Sequence, residues 1–445
     1  MSAATPASAL VLGLGVTGRA VARALVARGG EVVLVEDRPT EDHRALAEEL
    51  GVDLVEAPDR AALHAALARV EVLLPSPGVP DRHPAFATAA AAGVPVRSEF
   101  DLAGGWDDRP IAAVTGTNGK TTVTTLVADM LRRSGRVVAE AGNVDVPLVA
   151  AIDDPEVEVF VVEASSFRLG HTAHWAPRAA AWLNFAPDHL DVHADLARYE
   201  AAKARIWADQ GPDDVAVVNA DDPVVASHTG AGLRRTFGFA GDEDATVRDG
   251  TLLVDDRMLV PVEDLRRGLH HDQANALAAA LLAGAMGADD DAVRATLTSF
   301  DGLAHRVQFV GAAGEVAWYD DSKATTPHAT AAAVEAFESV VLIAGGRNKG
   351  LDLDGLLGAR GTVRQVVAIG EAAGDVAAAV ADRVAVQEAA SMQEAVDRAA
   401  AVALPGDAVV LSPGCASFDW YSSYGERGDD FAHLVRHHLD RVRDR

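Results

Sequence analysis

A phosphate-binding loop is the clearest chemical signal in this 445-residue chain. Residues 114–122 read VTGTNGKTT and lie between an apolar segment and a helix-like segment. In that context backbone N–H groups at the start of the helix face phosphates, Lys120 neutralises their charge, and the Thr121 hydroxyl can bind Mg²⁺. Val114 stands at the first glycine position of the usual pattern, and Gly116 lies inside the loop. The strand-loop-helix context still predicts a site for a nucleoside triphosphate and magnesium.

A second glycine-rich loop lies near the N-terminus. Residues 13–18 read GLGVTG after a predicted strand, and Glu36 and Asp37 end the next predicted strand. This spacing is typical of a dinucleotide-binding βαβ unit, in which a helix N-terminus faces a pyrophosphate and the acidic residue contacts a ribose. Considered alone, the motif favours NAD binding and therefore a hydride-transferring dehydrogenase.

Composition and charge exclude several classes of protein. The formal net charge of −27 and the pI near 4.8 oppose association with nucleic acid or with an anionic membrane. Cys415 is the only cysteine, so neither an internal disulfide nor a multi-cysteine metal site can form. The N-terminal segment lacks a positively charged signal region, and the sequence contains no membrane-like apolar run. We therefore expect a cytoplasmic protein without nucleic-acid or membrane partners.

Hydrophobic patterning predicts three α/β domains. Strand-like and helix-like segments alternate from residue 9 to about Trp106, where GGWDDRP indicates a boundary. A second alternating series begins with the strand before the phosphate loop, and a third begins near residue 303. We predict a Rossmann-like first domain (1–106), a central P-loop ATPase-like domain with a parallel sheet (107–302) and a Rossmann-like third domain (303–445).

The loop TGTNGKTT resembles that of the Mur ligase family, the amino-acid ligases of peptidoglycan synthesis, and that of folylpolyglutamate synthetase. Further segments match this superfamily in order: EASSF at 163–167, NFAPDHLD at 184–191, YEAAKARIW at 199–207, NADDP at 219–223, HDQAN at 271–275, GLAHR at 302–306, DDSKATT at 320–326 and SPGCASFDWY at 412–421. Agreement of so many segments along the whole chain excludes chance. The chain lacks the D-N-P-R-type motif of the diaminopimelate-adding and lysine-adding members and is similar to the D-glutamate-adding members.

The resemblance implies an ATP site with magnesium in the central domain, completed by residues of the third domain. The implied ATP contacts are Gly116, Asn118, Gly119, Lys120, Thr121, Thr122, Asn275, Arg306, Asp321 and Lys323. The implied catalytic residues are Lys120, Glu163, His189 and Lys203. The implied metal ligands are Thr121, Glu163, His189 and Lys203.

Lys203 corresponds to a lysine that is carbamylated in this family. A neutral lysine amine captures CO₂ and becomes an anionic group whose oxygen atoms suit magnesium. The resemblance therefore implies two magnesium sites and a carbamate on Lys203.

The resemblance also gives the glycine-rich loop of the first domain a different ligand from NAD. In the D-glutamate-adding members this domain holds the UDP part of the substrate. The implied UDP-substrate contacts are Val16, Thr17, Asp37, Ser76, Gly78, Asn143 and Ser165. The implied D-glutamate contacts are His189, Thr325, Lys349, Ser417, Phe418 and Tyr424. Within this set, Lys349 and Ser417 suit the two carboxylates of glutamate.

The implied activity is the ATP-dependent addition of D-glutamate to UDP-N-acetylmuramoyl-L-alanine through an acyl phosphate, by a monomeric enzyme of peptidoglycan precursor synthesis. Three alternatives stay open. A dehydrogenase would explain the first glycine motif but leaves the phosphate loop without a purpose. A non-catalytic nucleotide-binding switch would not require both a nucleotide sugar and an amino acid for phosphate release. A ligase that adds L-glutamate could use the same pocket groups.

Overall fold

The computed structural model describes residues 5–143, 146–189 and 192–443. The chain divides into two compact units, residues 1–300 and 301–445. Among the described residues, the first unit contains two β-sheets and the second contains one. These sheets and their flanking helices confirm the predicted α/β fold class. The domain boundaries after residues 106 and 302 stay predictions.

The first sheet is wholly parallel and has the strand order β3-β2-β1-β4. Its strands are β1 (Ser8–Leu12), β2 (Glu31–Glu36), β3 (Asp53–Glu56) and β4 (Val72–Pro75). The helices around it are α1 (Val16–Ala27), α2 (Glu41–Leu50), α3 (Arg60–Leu67), α4 (Pro84–Ala92) and α5 (Glu99–Trp106). Strand β1 is buried on both faces, as expected for a parallel sheet covered by crossover helices. The carboxyl ends of β1, β2 and β4 bring the glycine-rich loop, Glu36 and Ser76 to one edge.

The second sheet has the strand order β13-β12-β11-β10-β9-β8-β5-β7-β6. Its strands are β5 (Ile111–Thr115), β6 (Val138–Gly142), β7 (Val159–Glu163), β8 (Ala179–Trp182), β9 (Val215–Asn219), β10 (Leu233–Gly238), β11 (Ala245–Arg248), β12 (Thr251–Val254) and β13 (Arg257–Pro261). Strands β5 to β11 pair in parallel, as the sequence predicts for this domain.

An antiparallel meander of β11, β12 and β13 extends this sheet and was not predicted. Its two turns each consist of two residues, Asp249-Gly250 and Asp255-Asp256. All four have positive φ, between 49° and 72°, which aspartate and glycine tolerate better than most residues and which matches the twist of a hairpin. The predicted parallel sheet of the central domain is therefore extended by an antiparallel meander at this edge.

Helix α6 follows β5 after only four residues, so the phosphate loop connects a buried strand to a helix N-terminus. The helices of this part of the chain are α6 (Lys120–Arg133), α7 (Leu148–Ala151), α8 (Ser166–Leu169), α9 (Leu196–Ala204), α10 (Pro223–Ser227), α11 (His270–Ala285) and α12 (Asp290–Ser299), with 3-10 turns at Arg205–Trp207 and Val262–Asp264. Val123 and Val127 of α6 pack with Leu277 and Leu281 of α11 in one apolar core. This packing fixes the helix that carries the loop.

The second unit contains a sheet with the order β14-β15-β19-β16-β17-β18. Its strands are β14 (Gln308–Ala313), β15 (Val316–Asp320), β16 (Val340–Gly345), β17 (Val363–Ile369), β18 (Ala385–Ala389) and β19 (Ala408–Gly414). Its helices are α13 (Pro327–Val334), α14 (Ala373–Val380), α15 (Met392–Val402) and α16 (Tyr424–Arg443). Only the β14–β15 pair is antiparallel among these described strands. Loops after β15, β16 and β19 leave the sheet at its carboxyl edge.

None of the helices in the described parts of the chain combines the length and apolar character needed to cross a lipid bilayer.

Candidate functional site

The phosphate loop has a backbone shape that requires glycine at two positions. Gly116 has a φ of 155° and Gly119 has a φ of 84°. A Cβ atom on Gly119 would lie 2.5 Å from Asn275 Oδ1, and one on Gly116 would lie 3.0 Å from the Cβ of Leu183. Asn275, a predicted ATP contact, therefore lies against the loop, and larger residues would displace it.

Asn184 holds the loop in this shape, a role that the sequence analysis did not assign. Its Oδ1 accepts hydrogen bonds from the backbone N–H groups of Thr117 at 3.0 Å and Asn118 at 2.8 Å. Its Nδ2 donates to the Asn118 carbonyl at 3.2 Å. One side-chain amide thus orders three backbone groups of the loop. Thr121 and Thr122 lie in the first turn of α6, where a nucleotide phosphate is expected.

Lys120 and Lys203 share one carbonyl acceptor in the phosphate loop. Lys120 Nζ donates to the Gly116 carbonyl at 3.0 Å and to the Thr117 carbonyl at 2.9 Å. Lys203 Nζ donates to the same Gly116 carbonyl at 2.7 Å. The structure therefore brings together two lysines that are 83 residues apart in sequence, beside the expected phosphates.

Burial keeps Lys203 from carrying a charge easily. Its side chain is only 1% exposed, and its Nζ lies 4.6 Å from the centre of the Tyr199 ring. Desolvation, together with the nearby Lys120 charge, holds the pKa of Lys203 well below its ordinary value, although Asp188 and Glu163 act in the opposite direction. A neutral amine at this position is the form that reacts with CO₂.

Glu163 is the last residue of β7, and only one of its two carboxylate oxygens accepts a hydrogen bond from a described residue. Its Oε1 accepts from Asn143 Nδ2 at 3.0 Å. Its Oε2 is buried and has no hydrogen-bond partner among the described residues. A buried, unpartnered carboxylate oxygen is costly unless a ligand satisfies it, and magnesium prefers oxygen ligands of this kind. Glu163 therefore fits the magnesium role that the resemblance implies.

His189 has a left-handed backbone, with a φ of 56°. Its Nε2 lies 3.4 Å from Asp188 Oδ2, and its ring stands edge-on to Phe167 with 4.8 Å between the ring centres. Within the described residues no group of three or more His, Cys, Asp or Glu side chains is arranged to hold a metal ion.

A cavity of about 700 Å³ lies at the glycine-rich loop of the first sheet. It is bordered by six of the seven predicted UDP-substrate contacts, namely Val16, Thr17, Asp37, Ser76, Gly78 and Asn143. The seventh, Ser165, does not line this cavity. Its buried Oγ lacks a hydrogen-bond partner among the described residues, and it lies at the start of α8, two residues after Glu163.

Arg168 also lines this cavity, and the sequence analysis missed it. Its guanidinium donates to Thr17 Oγ1 at 2.9 Å and to Asn143 Oδ1 at 3.1 Å, while its Nε donates to Glu99 Oε1 at 2.6 Å. Because Asn143 also donates to Glu163, a hydrogen-bonded series joins the cavity to the predicted metal ligand.

The carboxylate of Glu36, in the dinucleotide-like motif, accepts hydrogen bonds from backbone N–H groups of the protein itself. Its Oε2 accepts from the N–H of Leu14 at 2.8 Å, and its Oε1 accepts from the N–H of Arg38 at 3.0 Å. Asp37, the next residue, pairs with His83 Nε2 at 3.0 Å and lines the cavity. The carboxylate that would contact a ribose in a dinucleotide fold therefore stabilises the glycine-rich loop instead.

In the second unit, Asp321 is buried and bound by protein groups. It accepts from the Val307 N–H at 3.1 Å and from Ser412 Oγ at 2.7 Å. Burial raises the pKa of Asp321 to about 7.

Lys323, two residues later, lies with its Nζ 3.7 Å from the centre of the Tyr424 ring. Arg306 precedes β14, in a turn where its N–H donates to the Leu303 carbonyl at 3.3 Å.

The predicted glutamate contacts of this unit lie on adjacent loops. Ala416 exchanges two backbone hydrogen bonds with Arg347, at 2.8 and 3.0 Å, so the loop with Ser417 and Phe418 runs beside the loop that contains Lys349. Ser417 is 2% exposed, whereas Phe418 is 57% exposed. Thr325 immediately precedes Thr326, which caps α13. His189, also predicted to contact glutamate, belongs to the first unit.

The distribution of lysine is a signal that sequence reasoning left unused. The chain contains 39 basic residues counted as lysine plus arginine, and only four are lysines: Lys120, Lys203, Lys323 and Lys349. All four belong to the predicted site. Lysine differs from arginine in having a compact amine on a flexible stem that can lose its proton when buried. These properties suit the four predicted site positions, whereas arginine supplies the positive charge elsewhere.

Comparisons with known proteins agree with this geometry. A family model described as "Mur ligase middle domain" matches residues 114–283, "Mur ligase, glutamate ligase domain" matches 305–415, and "Mur ligase MurD-like, N-terminal domain" matches 7–98. Two proteins named UDP-N-acetylmuramoylalanine--D-glutamate ligase, from Frankia casuarinae and Desulfosudis oleivorans, are 44% and 40% identical to this chain. Each match covers 96% of this chain, and 93% and 95% of those two proteins respectively. The chain belongs to the Mur ligase family.

The fold of this Mur ligase is also similar to solved structures. Pseudomurein peptide ligase type C from Methanothermus fervidus aligns with a TM-score of 0.59 and 16% identity, over 96% of this chain and 99% of that chain. UDP-N-acetylmuramate-alanine ligase from Thermotoga maritima aligns with a TM-score of 0.56 and 19% identity, over 97% and 99% of the two chains. At these identities the likeness supports the fold and does not identify a substrate.

Proposed function

We propose that this Mur ligase joins D-glutamate to UDP-N-acetylmuramoyl-L-alanine with ATP hydrolysis to ADP and phosphate, in the cytoplasmic synthesis of peptidoglycan precursors. The activity would serve cell-wall biogenesis and therefore cell shape and division. The name shared by relatives at 37–44% identity over 96% of the chain supports the choice of amino acid. A monomeric state is part of the proposal and is tested by light scattering coupled to size-exclusion chromatography.

The observation that carries the proposal is the pairing of two sites within the first unit. A phosphate loop with Lys120 at its helix N-terminus suits ATP. A separate cavity of about 700 Å³ at a second glycine-rich loop suits a nucleotide-sugar, because Thr17 and Asn143 present hydrogen-bonding groups and Arg168 presents a cation. A dehydrogenase or a simple nucleotide switch would need only one of these sites.

The first chemical step is phosphoryl transfer from ATP to the terminal carboxylate of the UDP-substrate. A carboxylate oxygen attacks the γ-phosphorus, the bond to the β-γ bridging oxygen breaks, and ADP leaves with the electron pair. Lys120 offsets the negative charge of the transferred group, and Arg306 and Lys323 are proposed to do the same. The product is an acyl phosphate.

Glu163, His189, Thr121 and Lys203 are the residues proposed to hold two magnesium ions. When bound, magnesium supplies positive charge that stabilises the phosphates and the developing charge of the transferred group. The unpartnered Glu163 Oε2 supports its role as a ligand. The buried Lys203, with its low pKa, supports a carbamate that would replace a repelling ammonium with anionic oxygens.

The second step forms the amide. The neutral amine of D-glutamate attacks the acyl carbon, and the tetrahedral intermediate collapses with loss of phosphate and of one proton from nitrogen. Lys349 and Ser417 are proposed to hold the two carboxylates of glutamate, which fixes the direction of the amine. No side chain is required as a covalent nucleophile.

The test is ADP release and product formation with ATP, UDP-N-acetylmuramoyl-L-alanine and one amino acid at a time. We expect turnover with D-glutamate and a rate lower by orders of magnitude with L-glutamate, because the amine of the wrong enantiomer points away from the acyl carbon. Glycine, with one carboxylate, and meso-diaminopimelate, with a longer side chain, should also react slowly because neither can place its carboxylates as glutamate does. Equal or faster reaction with L-glutamate would favour the L-glutamate ligase. ADP release that needs no amino acid would favour a nucleotide switch.

The pocket assignment is tested separately. Lys349→Ala and Ser417→Ala are expected to raise the KM for D-glutamate much more than the KM for ATP, with the larger effect at Lys349, since charge-assisted hydrogen bonds are about twice as strong as neutral ones. Arg383→Ala, which removes another cation of the same unit, is the matched control. An unchanged KM for D-glutamate in both pocket variants would refute the assignment without affecting the ATP-ligase proposal.

A further inference from the structure

Arg427, near the start of α16, is a buried arginine with no role in the proposed function. It is only 1% exposed. Its guanidinium donates from Nε to Ser322 Oγ at 2.9 Å, from Nη2 to the Ser322 carbonyl at 2.9 Å and from Nη1 to the Cys415 carbonyl at 3.2 Å. All of these acceptors are neutral oxygens, and no salt bridge joins Arg427 to a carboxylate within the described chain. Burying a cation in this way is costly, so the arrangement requires a reason.

Two loops with predicted site residues meet at this guanidinium. Ser322 directly precedes Lys323, the proposed cation for the transferred phosphoryl group. Cys415 lies two residues before Ser417, the proposed glutamate contact. Ser322 Oγ also donates to the Tyr424 carbonyl at 2.8 Å, which ties the start of α16 to the same contact. Arg427 thus connects segments that are 105 and 12 residues distant in sequence.

A third loop packs against the same group. Ala416 pairs through its backbone with Arg347, in the loop that continues to Lys349. A Cβ on Gly346 would lie 2.3 Å from the Ala416 carbonyl oxygen and 3.1 Å from Arg427 Nη1. Only glycine allows this approach, and Gly346 has a φ of 130°. The guanidinium therefore lies beside Gly346, three residues before Lys349, and leaves no room there for a side chain.

Arg427 keeps its charge in this position. Burial lowers its pKa to about 10, while Asp419 and Asp320 raise it, so the guanidinium stays protonated at neutral pH. A cation in a buried, weakly screened position acts more strongly on nearby ligand charges than an exposed one does. Glutamate brings two carboxylates, which this charge would favour.

We infer that Arg427 is a positioning residue for the amino-acid substrate, because its guanidinium sets the loops of Lys323, Ser417 and Lys349 relative to one another beside a ligand with two carboxylates. The inference rests on the proposed function, since it takes glutamate as the substrate. Arg427 acts through the three loops and does not itself touch the reacting atoms.

The experiment measures the KM for D-glutamate, ATP and the UDP-substrate, together with kcat and the Tm, in the full-length protein. Arg427→Lys keeps the charge and loses the planar set of donors, Arg427→Gln loses both, and Ser322→Ala removes one acceptor without changing the guanidinium. The matched control is Arg436→Gln, an exposed arginine of the same helix. We expect Arg427→Lys to raise the KM for D-glutamate about tenfold, on the scale of one hydrogen bond to a charged group.

We expect Arg427→Gln to raise this KM further and Ser322→Ala to raise it less, while the KM for ATP and for the UDP-substrate changes less than about twofold and Arg436→Gln matches the wild type. If Arg427→Gln does not fold, Arg427→Lys and Ser322→Ala still decide the question. A fall in kcat and Tm with an unchanged KM for D-glutamate in these variants would show a purely structural role and overturn the inference. Absence of D-glutamate ligation by the wild type would instead overturn the proposed function.

Discussion

Arg168 Nε lies 2.6 Å from Glu99 Oε1, and the two side chains are 6% and 1% exposed. The other nitrogens of Arg168 contact Thr17 on α1 and Asn143 after β6. Burial raises the pKa of Glu99, while the charge of Arg168 lowers it. This buried pair therefore connects the cavity at the glycine-rich loop to Asn143, which donates a hydrogen bond to Glu163.

Arg168→Ala should destabilise the protein by about 3–5 kcal/mol, because it leaves the Glu99 carboxylate buried without its partner. Arg23→Ala breaks an exposed pair with Glu49 and should cost below about 1 kcal/mol. Chemical denaturation measures both. Titration calorimetry should also show weaker binding of the UDP-substrate to Arg168→Ala, since Thr17 and Asn143 lose a common donor. Equal stability of the two variants would contradict the importance of the buried pair.

Lys120→Ala should abolish ligation while the protein stays folded. The variant removes the cation at the phosphate loop, and the loss of transition-state stabilisation should reach about 3 kcal/mol or more. Arg132→Ala, near the end of the same helix and paired with Glu140 at the surface, is the control and should keep its activity. Near-normal ATP-dependent ligation by a folded Lys120→Ala protein would disprove the phosphate-loop assignment.

Lys203 should carry a carbamate in solution. Protein prepared with ¹³C-bicarbonate is expected to show a carbamate carbonyl signal in NMR spectra that is absent from Lys203→Ala. The Ala variant should be nearly inactive and partly restored by acetate, which supplies a carboxylate in the vacated space. Lys203→Arg fills that space with a permanent cation and should not respond to acetate. Full activity of Lys203→Ala without additives would end the carbamate proposal.

Asp321 should make the stability of the protein depend on pH. Its pKa is about 7 in the folded chain and near 3.8 when the carboxyl is solvated. Between these values the unfolded chain releases the proton and the folded chain keeps it, so stability from this group falls as pH rises through the window. Asp321→Asn mimics the protonated form. Its Tm relative to the wild type should therefore increase from about pH 4 to pH 7 and then level off. A difference in Tm that is constant across this range would rule the effect out.

The sequence predicted the parts of the site that are local in the chain. The phosphate loop is one contiguous segment, so the spacing of its glycines and Lys120 is enough to predict a phosphate-binding site. The six cavity residues are far apart in the chain, and they were predicted only because the family resemblance names them together. The antiparallel meander was missed although its sequence indicates it, because Asp249-Gly250 between two apolar segments is a strong hairpin signal and two residues are too few for a crossover.

Residues that act through long-range hydrogen bonds could not be found in this way. Asn184 and Asn118 are 66 residues apart, Arg168 and Thr17 are 151 apart, and Arg427 and Ser322 are 105 apart. An asparagine or arginine in such a position has no periodicity that distinguishes it from a surface residue. Only the folded arrangement of the strand ends brings these donors and acceptors together.

The placement of the four lysines makes this enzyme unusual as a target for amine-directed reagents. In most proteins such reagents modify many surface positions, whereas here every side-chain amine belongs to the predicted site. Lys349 is exposed, Lys120 and Lys323 are partly covered, and Lys203 is almost wholly inaccessible, so acylation should follow that order of exposure. Protection of Lys349 from acylation by added D-glutamate would report on amino-acid binding without mutagenesis, and a mass shift at any lysine would locate an event at the site.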